Sequence, residues 1–245
     1  MKIEKKIHYC WFGGNPLPES VEYCIQSWKK YCPDYEIIQW NESNFDVQQN
    51  RYMREAYQQK KWAFVSDYAR LKIIYDQGGI YLDTDVELVR SLDTLLEQEG
   101  FMGFQNKETV ATGLGFGAVA GHCLIKALLD DYEEISFFNR DGSMDLTPCP
   151  NRNTACMVQL GLQADGTRQT LQGIEIYPAE YFSPLDWKTG KLKLTENSYS
   201  IHRYDASWLD KKEHRWMKVQ QVIGEKNCYR IRYSIPERLK KLFGR

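Results

Sequence analysis

Nowhere in the 245 residues is there a run of about 18 apolar side chains, the length a helix needs to cross a bilayer. The opening stretch Met1-Lys2-Ile3-Glu4-Lys5-Lys6-Ile7-His8 carries charge but no apolar segment, so no secretory leader is expected. The seven cysteines, at positions 10, 24, 32, 123, 149, 156 and 228, are odd in number and include no Cys-x-x-Cys pair. A zinc ribbon and a fully paired disulfide frame are thereby disfavoured, and reduced, partly buried thiols in a cytosolic protein are expected. Internal repeats and low-complexity segments are absent. A large net charge is missing too, the formal balance being −1.

What charge there is lies unevenly. Residues 211–245 hold 11 Lys/Arg against 3 Asp/Glu, a local +8 that leaves residues 1–210 at −9. A basic tail on an acidic body suits an anionic membrane leaflet better than nucleic acid, with a solvated basic helix as the plain alternative. Within the tail, Leu239, Leu242 and Phe243 share a face of the basic stretch 235–243, as in a weak interfacial anchor. The remainder of the composition is ordinary: 42% hydrophobic, 27% charged and 13% aromatic. That length suits one α/β domain over residues 1–210 and a helical appendage over 211–245.

Residues 3–11 read as a strand that ends at Gly13-Gly14-Asn15-Pro16, residues 18–31 as a helix, and residues 35–40 as a second strand. A strand, a helix and a strand within about 40 residues argue for a largely parallel sheet. Residues 62–77 form the strongest helical segment, stopped by Gly78-Gly79. Residues 80–82, 101–105 and 113–119 are expected as further strands and 124–132 as a helix. Beyond Asp141 the pattern loosens into polar and Pro-rich stretches, which suit loops that shape specificity.

The chemistry concentrates in Gly78-Gly79-Ile80-Tyr81-Leu82-Asp83-Thr84-Asp85. Carboxylates two residues apart lie on the same side of an extended chain, and here they follow directly on an apolar strand. In open α/β sheets that edge is where ligands bind. Two like charges so close repel unless a cation lies between them. A hard divalent ion held there by carboxylate oxygens would offset the charge on a departing diphosphate. Upstream, Asp67 and Arg70 stand three residues apart and share a helical face, as an ordinary ion pair or as a pair facing a ligand. Gly113-Leu114-Gly115-Phe116-Gly117 lacks the Lys-Ser/Thr of a phosphate loop, and its small residues suit close approach by a sugar or by backbone.

Taken together, Trp62-Ala63-Phe64-Val65-Ser66-Asp67-Tyr68-Ala69-Arg70 and Tyr75 through Asp85 resemble the Asp-x-Asp sugar-transferase family, glycosyltransferase family 32. It includes capsular-polysaccharide transferases and the yeast initiating mannosyltransferase, and its core is similar to that of clostridial glucosylating toxins. Ile7-His8-Tyr9-Cys10-Trp11-Phe12-Gly13-Gly14 resembles the family's first strand, and Ile201 through Trp208 its closing motif.

The resemblance implies an α/β GT-A fold with a Rossmann-like, mostly parallel sheet. It also implies Mn2+ or Mg2+ and transfer with retention at the anomeric carbon. It implies a nucleotide-sugar donor, with UDP-galactose, UDP-N-acetylhexosamine or UDP-glucose favoured over GDP-mannose. The acceptor would be an oligosaccharide or a polyisoprenyl-linked saccharide in bacterial capsular or exopolysaccharide synthesis, and nucleic acid is not expected as a partner. By the same resemblance Asp83 contacts donor sugar or ribose, Asp85 ligates metal, Asp67 and Arg70 hold the donor sugar, and Trp11 lies at the base. His202 completes the metal or the diphosphate site, and Ser207 and Trp208 close over the phosphates. Catalysis would rest on Asp83, Asp85 and Arg70. The chain departs from the family at Arg203, where a second His is common, and at Thr147-Pro148-Cys149, where the family has Thr-Gly-Pro. Two other readings compete: a non-catalytic sugar-nucleotide or carbohydrate binder, and a haloacid-dehalogenase-like phosphatase. The latter wants Thr or Val where Glu87 stands.

Overall fold

The structure, a computed structural model, describes residues 2–204. Its frame is a seven-stranded sheet in the order β2-β1-β3-β6-β5-β8-β7. The strands are β1 (Lys6–Cys10), β2 (Glu36–Trp40), β3 (Gly79–Tyr81), β5 (Gly100–Gly103), β6 (Phe116–Ala118), β7 (Gln169–Leu171) and β8 (Ile174–Tyr177). β1 pairs in parallel with β2 and β3, and β5 with β8, while β6 and β7 run against their neighbours. The sheet is therefore mostly parallel in strand direction, as expected. A separate two-stranded ladder joins β4 (Val86–Leu88) to β9 (Ser200–His202).

Among the described residues five helices cover the sheet: α1 (Glu19–Tyr31), α2 (Arg51–Gln58), α3 (Trp62–Gln77), α4 (Cys123–Glu133) and α5 (Cys149–Gln159). The central strands are apolar on both faces, as burial beneath two layers requires. From β1, Ile7 and Tyr9 enter a core with α1's Val21, Ile25 and Trp28, while Cys10 enters the opposite core with α2, α3 and α4. β3 repeats the division, with Ile80 on one side and Tyr81 on the other. α3 is buried on nearly every side, which explains its weak amphipathicity.

β1, α3 and β3 lie where expected, but α2, α5, β4 and β7 to β9 do not stand out in the sequence. The four strands have three or four residues each, too few for an alternation to register. α2 is capped by Asn50, whose side chain accepts from the Met53 N–H at 3.0 Å, a cap hidden inside a polar stretch. The strand expected from residue 113 begins only at Phe116, because Thr112–Leu114 forms a 3-10 turn and Gly115 has φ 109.

Gly78 and Gly79 turn α3 into β3 within two residues. Gly78 closes the helix through its N–H on Ile74 O at 2.9 Å, and both glycines adopt positive φ. A Cβ on Gly79 would meet His8 Nε2 at 2.9 Å. His8 is fully buried and joins three segments: Trp40 Nε1–H donates to its Nδ1 at 3.1 Å, and its Nε2 lies 3.1 Å from Gly78 O. Since the indole only donates, His8 is neutral with its proton on Nε2. Burial, the largest influence, lowers its pKa to about 4.

A histidine whose pKa falls on folding stabilises the fold above its unfolded value of 6.5, and that stability is lost as pH drops through about 4. Between those limits His8 should cost roughly 3 kcal/mol of stability. Urea unfolding at pH 7 and pH 4.5 should show the loss, and His8→Gln should flatten the difference. An equally steep difference in His8→Gln would assign it elsewhere.

Candidate metal and diphosphate site

β1 and β3 run in parallel and leave the sheet at the same edge, with Leu82 N–H bonded to His8 O at 3.0 Å. Trp11 leaves β1 at that edge, and Asp83-Thr84-Asp85 follow β3 there. Val86 N–H then bonds Asp83 O at 3.0 Å, which turns the chain into β4. β4 pairs with β9 in the register Val86↔His202, so a residue 116 positions after Val86 returns to the turn. His202 Nε2 lies 3.3 Å from Asp85 Oδ1, and Arg203 N–H bonds Asp85 O at 2.8 Å.

Asp83 is held from two sides. Tyr81 OH donates to its Oδ1 at 3.0 Å, and Arg70 Nη1 reaches its Oδ2 at 3.4 Å. Arg70 also donates from Nη2 to Asp67 Oδ1 at 2.8 Å and from Nε to Ser66 O at 3.0 Å. The Asp67/Arg70 pair is thus more than an ion pair along α3, since its guanidinium extends to the carboxylate beyond β3. Both residues are buried, at 6% and 4% exposure. Burial drives the Asp67 carboxyl up to about 6, against the pull of Arg70. Burial also raises Asp83, with Asp85 adding to the rise and Arg70 opposing it. For His202, burial disfavours the imidazolium, yet the Asp85 and Asp83 carboxylates raise its pKa on balance.

Sequence reasoning missed the wall behind this group. Gly113 faces Asp83 so closely that a Cβ there would lie 2.5 Å from Oδ2 and 3.1 Å from Arg70 Nη1. The glycine-rich segment does permit close approach, but what approaches Gly113 is the Asp83 carboxylate. Next to it, Thr112 Oγ1 lies 3.3 Å from Cys149 Sγ, and Asn153 Nδ2 donates to both. The segment 147–154 thus packs against the turn that carries Gly113, through the start of α5. The only visible signal was the glycine spacing.

The residues present fit a hard divalent cation. One ligand atom from each of Asp83, Asp85 and His202 falls within 4.8 Å of the others. Two of the carboxylates, Asp67 and Asp83, share the Arg70 guanidinium, while Asp85 lies against His202. His202 Nδ1 is buried and has no hydrogen-bond partner among the described residues, an arrangement costly unless a ligand or ion satisfies it. Two carboxylates with one imidazole suit a divalent metal ion.

Trp11, half-buried, donates from Nε1 to Asn15 O at 2.7 Å and stands at the same sheet edge. Ser207, Trp208, Cys228 and the basic segment 211–245 lie outside the described residues. The cysteines at 10, 32, 123, 149 and 156 are free thiols. No helix among the described residues is long and apolar enough to cross a membrane.

Residues 18–102, which include Asp67, Arg70, Asp83 and Asp85, match the protein family described as glycosyltransferase sugar-binding region containing DXD motif. The chain is 27% identical to inositol phosphoceramide mannosyltransferase 3 of Schizosaccharomyces pombe, over 55% of this chain and 38% of that protein. It is 26% identical to subversion of eukaryotic traffic protein A of Legionella pneumophila, over 35% of this chain and 17% of the other. It therefore spans well under half the length of these curated relatives. Among solved structures, the PaToxG glycosyltransferase superposes with a TM-score of 0.51 at 19% identity, over 64% of this chain and 70% of that one. That likeness is one of fold, and the α/β architecture here is the GT-A fold.

Groups that orient a ligand typically alter metal affinity about 10- to 100-fold when changed. Gly113→Ala should therefore weaken Mn2+ binding by that order, read by calorimetry or by the electron-spin signal of free Mn2+. Far-UV circular dichroism should be unchanged. Wild-type affinity in this variant would show that the Asp83 position does not matter to the ion.

Proposed function

We propose that this chain, whose residues 18–102 carry the sugar-binding region of the Asp-x-Asp glycosyltransferases, transfers a sugar with retention from a nucleotide diphosphate donor to a saccharide acceptor. The observation that carries the reading is the convergence of Asp83, Asp85 and His202 beside the buried Asp67–Arg70 pair, at the sheet edge where α/β folds bind ligands. A UDP-sugar is the favoured donor. The acceptor is a glycan or a lipid-linked saccharide of a bacterial surface polysaccharide, and the reaction takes place on the cytosolic side.

Each residue then has a task. Trp11 offers an aromatic face to the base. Asp67 and Arg70 hold the donor sugar, with Arg70 also keeping Asp83 in place. Asp83, Asp85 and His202 would hold Mn2+ or Mg2+, which when bound neutralises diphosphate charge as a Lewis acid. Beyond the described residues, Ser207 and Trp208 are assigned to closing over the phosphates. The acceptor oxygen bonds to the anomeric carbon on the face from which the diphosphate departs, as the bond from that carbon to phosphate oxygen breaks. The departing oxygen takes the hydroxyl proton. Arg70 would help stabilise the charge that develops.

A donor screen tests the proposal. Purified protein with Mn2+ and single UDP-, GDP-, ADP- or CMP-sugars should release nucleotide from one donor, and EDTA should stop the release. Asp85→Ala should lose both turnover and its metal dependence. Mn2+-dependent turnover surviving in Asp85→Ala would refute the assignment of Asp85. A donor that binds tightly, yet is never turned over even with saccharide acceptors present, would favour a sugar-nucleotide binder.

A further inference from the structure

Four helices each send one polar side chain to the same part of the interior: Tyr52 from α2, Asp67 from α3, Tyr132 from α4 and Arg152 from α5. Tyr52 and Tyr132 are fully buried, edge to face, with ring centroids 5.1 Å apart. The Arg152 guanidinium carbon lies over both rings, 5.8 Å from the Tyr52 centroid and 5.7 Å from that of Tyr132. Burial raises the pKa of both hydroxyls, the Asp67 carboxylate raises it further, and Arg152 opposes the rise.

The charges here form two groups. In one, Arg70 joins Asp67 to Asp83. In the other, Arg152 donates from Nη2 to Asp145 Oδ2 at 2.7 Å, and Asp145 Oδ1 accepts the Thr147 N–H at 2.9 Å. Arg152 is near enough to oppose the rise that burial forces on the Asp67 carboxyl. Where the groups approach each other, three buried polar atoms have no partner among the described residues: Tyr52 Oη, Tyr132 Oη and Arg152 Nε. A buried polar atom left unpaired costs stability, and ordered internal solvent is the common remedy.

We infer that ordered water occupies this space and bridges Arg152 and the two tyrosine hydroxyls to Asp67. The donor set selects water. The Arg152 Nε–H only donates, both hydroxyls can donate, and an ionised carboxylate only accepts. A water molecule accepts from the former and donates to the latter, and a buried water needs roughly two to four such partners. A chloride ion would suit the donors but would stand against the Asp67 carboxylate. The bridge makes one chain of Asp145, Arg152, Asp67, Arg70 and Asp83, so it ties the segment 147–154 to the turn that carries the site carboxylates. It holds whether or not a sugar is transferred, and it needs no metal.

The experiment uses the full chain without donor or metal. A crystal structure at a resolution that shows ordered solvent should place water within hydrogen-bond reach of Arg152 Nε and of both hydroxyls. Tyr52→Phe and Tyr132→Phe, each read by urea unfolding, keep the buried ring and remove one hydroxyl. With water held there, each variant loses a hydrogen bond, and its unfolding equilibrium constant should rise about fivefold. A dry space predicts the opposite sign, because deleting an orphaned hydroxyl removes its burial penalty. No solvent density in the wild type, or unchanged or greater stability in either variant, overturns the inference. Crystals grown with bromide supply the remaining check: an anomalous peak in this space would make the occupant an anion and overturn it too.

Discussion

The site depends on one buried cation. Arg70 has 4% of its surface exposed and offers its guanidinium to Asp67, to Asp83 and to the Ser66 carbonyl. A lone buried charge is costly, and removing one partner from such a group costs roughly 3–5 kcal/mol. The interaction therefore binds α3 to the turn beyond β3 and sets where Asp83 stands. Gly113 must stay small so that carboxylate and guanidinium can meet, and the first turn of α5 packs against the neighbouring Thr112. The arrangement brings two carboxylates and an imidazole within reach of one ion, which is the physical reason it suits a divalent cation.

A second constraint comes from the short β4–β9 ladder. It has three pairs, and one of them sets His202 opposite Val86, next to Asp85. Arg203, which stands where relatives in the resembled family often carry histidine, turns to Glu87 and forms an ion pair there. Glu87 also accepts from Tyr23 OH at 2.9 Å, so α1, β4 and β9 are joined beside the site. The difference at position 203 thus has a structural use, and of the two neighbours it is His202 that faces Asp85.

Helices and site share the surroundings of Asp67. Tyr52, Tyr132 and Arg152 reach it from α2, α4 and α5, and Arg152 carries the Asp145 ion pair. Sequence gave little notice of that meeting, because each tyrosine reads locally as an ordinary core aromatic. Their hydroxyls matter only once burial is known. The basic C-terminal stretch, by contrast, is plain in the charge count.

Legibility followed the range of the interactions. Trp62 through Gln77, the Gly78-Gly79 stop and the apolar residues before Asp83 are local patterns. Their order along the chain sufficed for a helix, a sharp turn and a strand that ends in two carboxylates. The i, i+3 spacing of Asp67 and Arg70 likewise needs only helix geometry. Sequence alone therefore determined the α/β class, the central strands and most of the acidic group. Tertiary structure decided the rest: that Arg70 reaches Asp83, that Gly113 leaves space for that contact, that His8 is locked neutral between Trp40 and Gly78, and that His202 returns to Asp85. Each of these joins residues from separate elements. Strand pairing and close packing fix such contacts, and no spacing along the chain records which distant side chains will share one buried space.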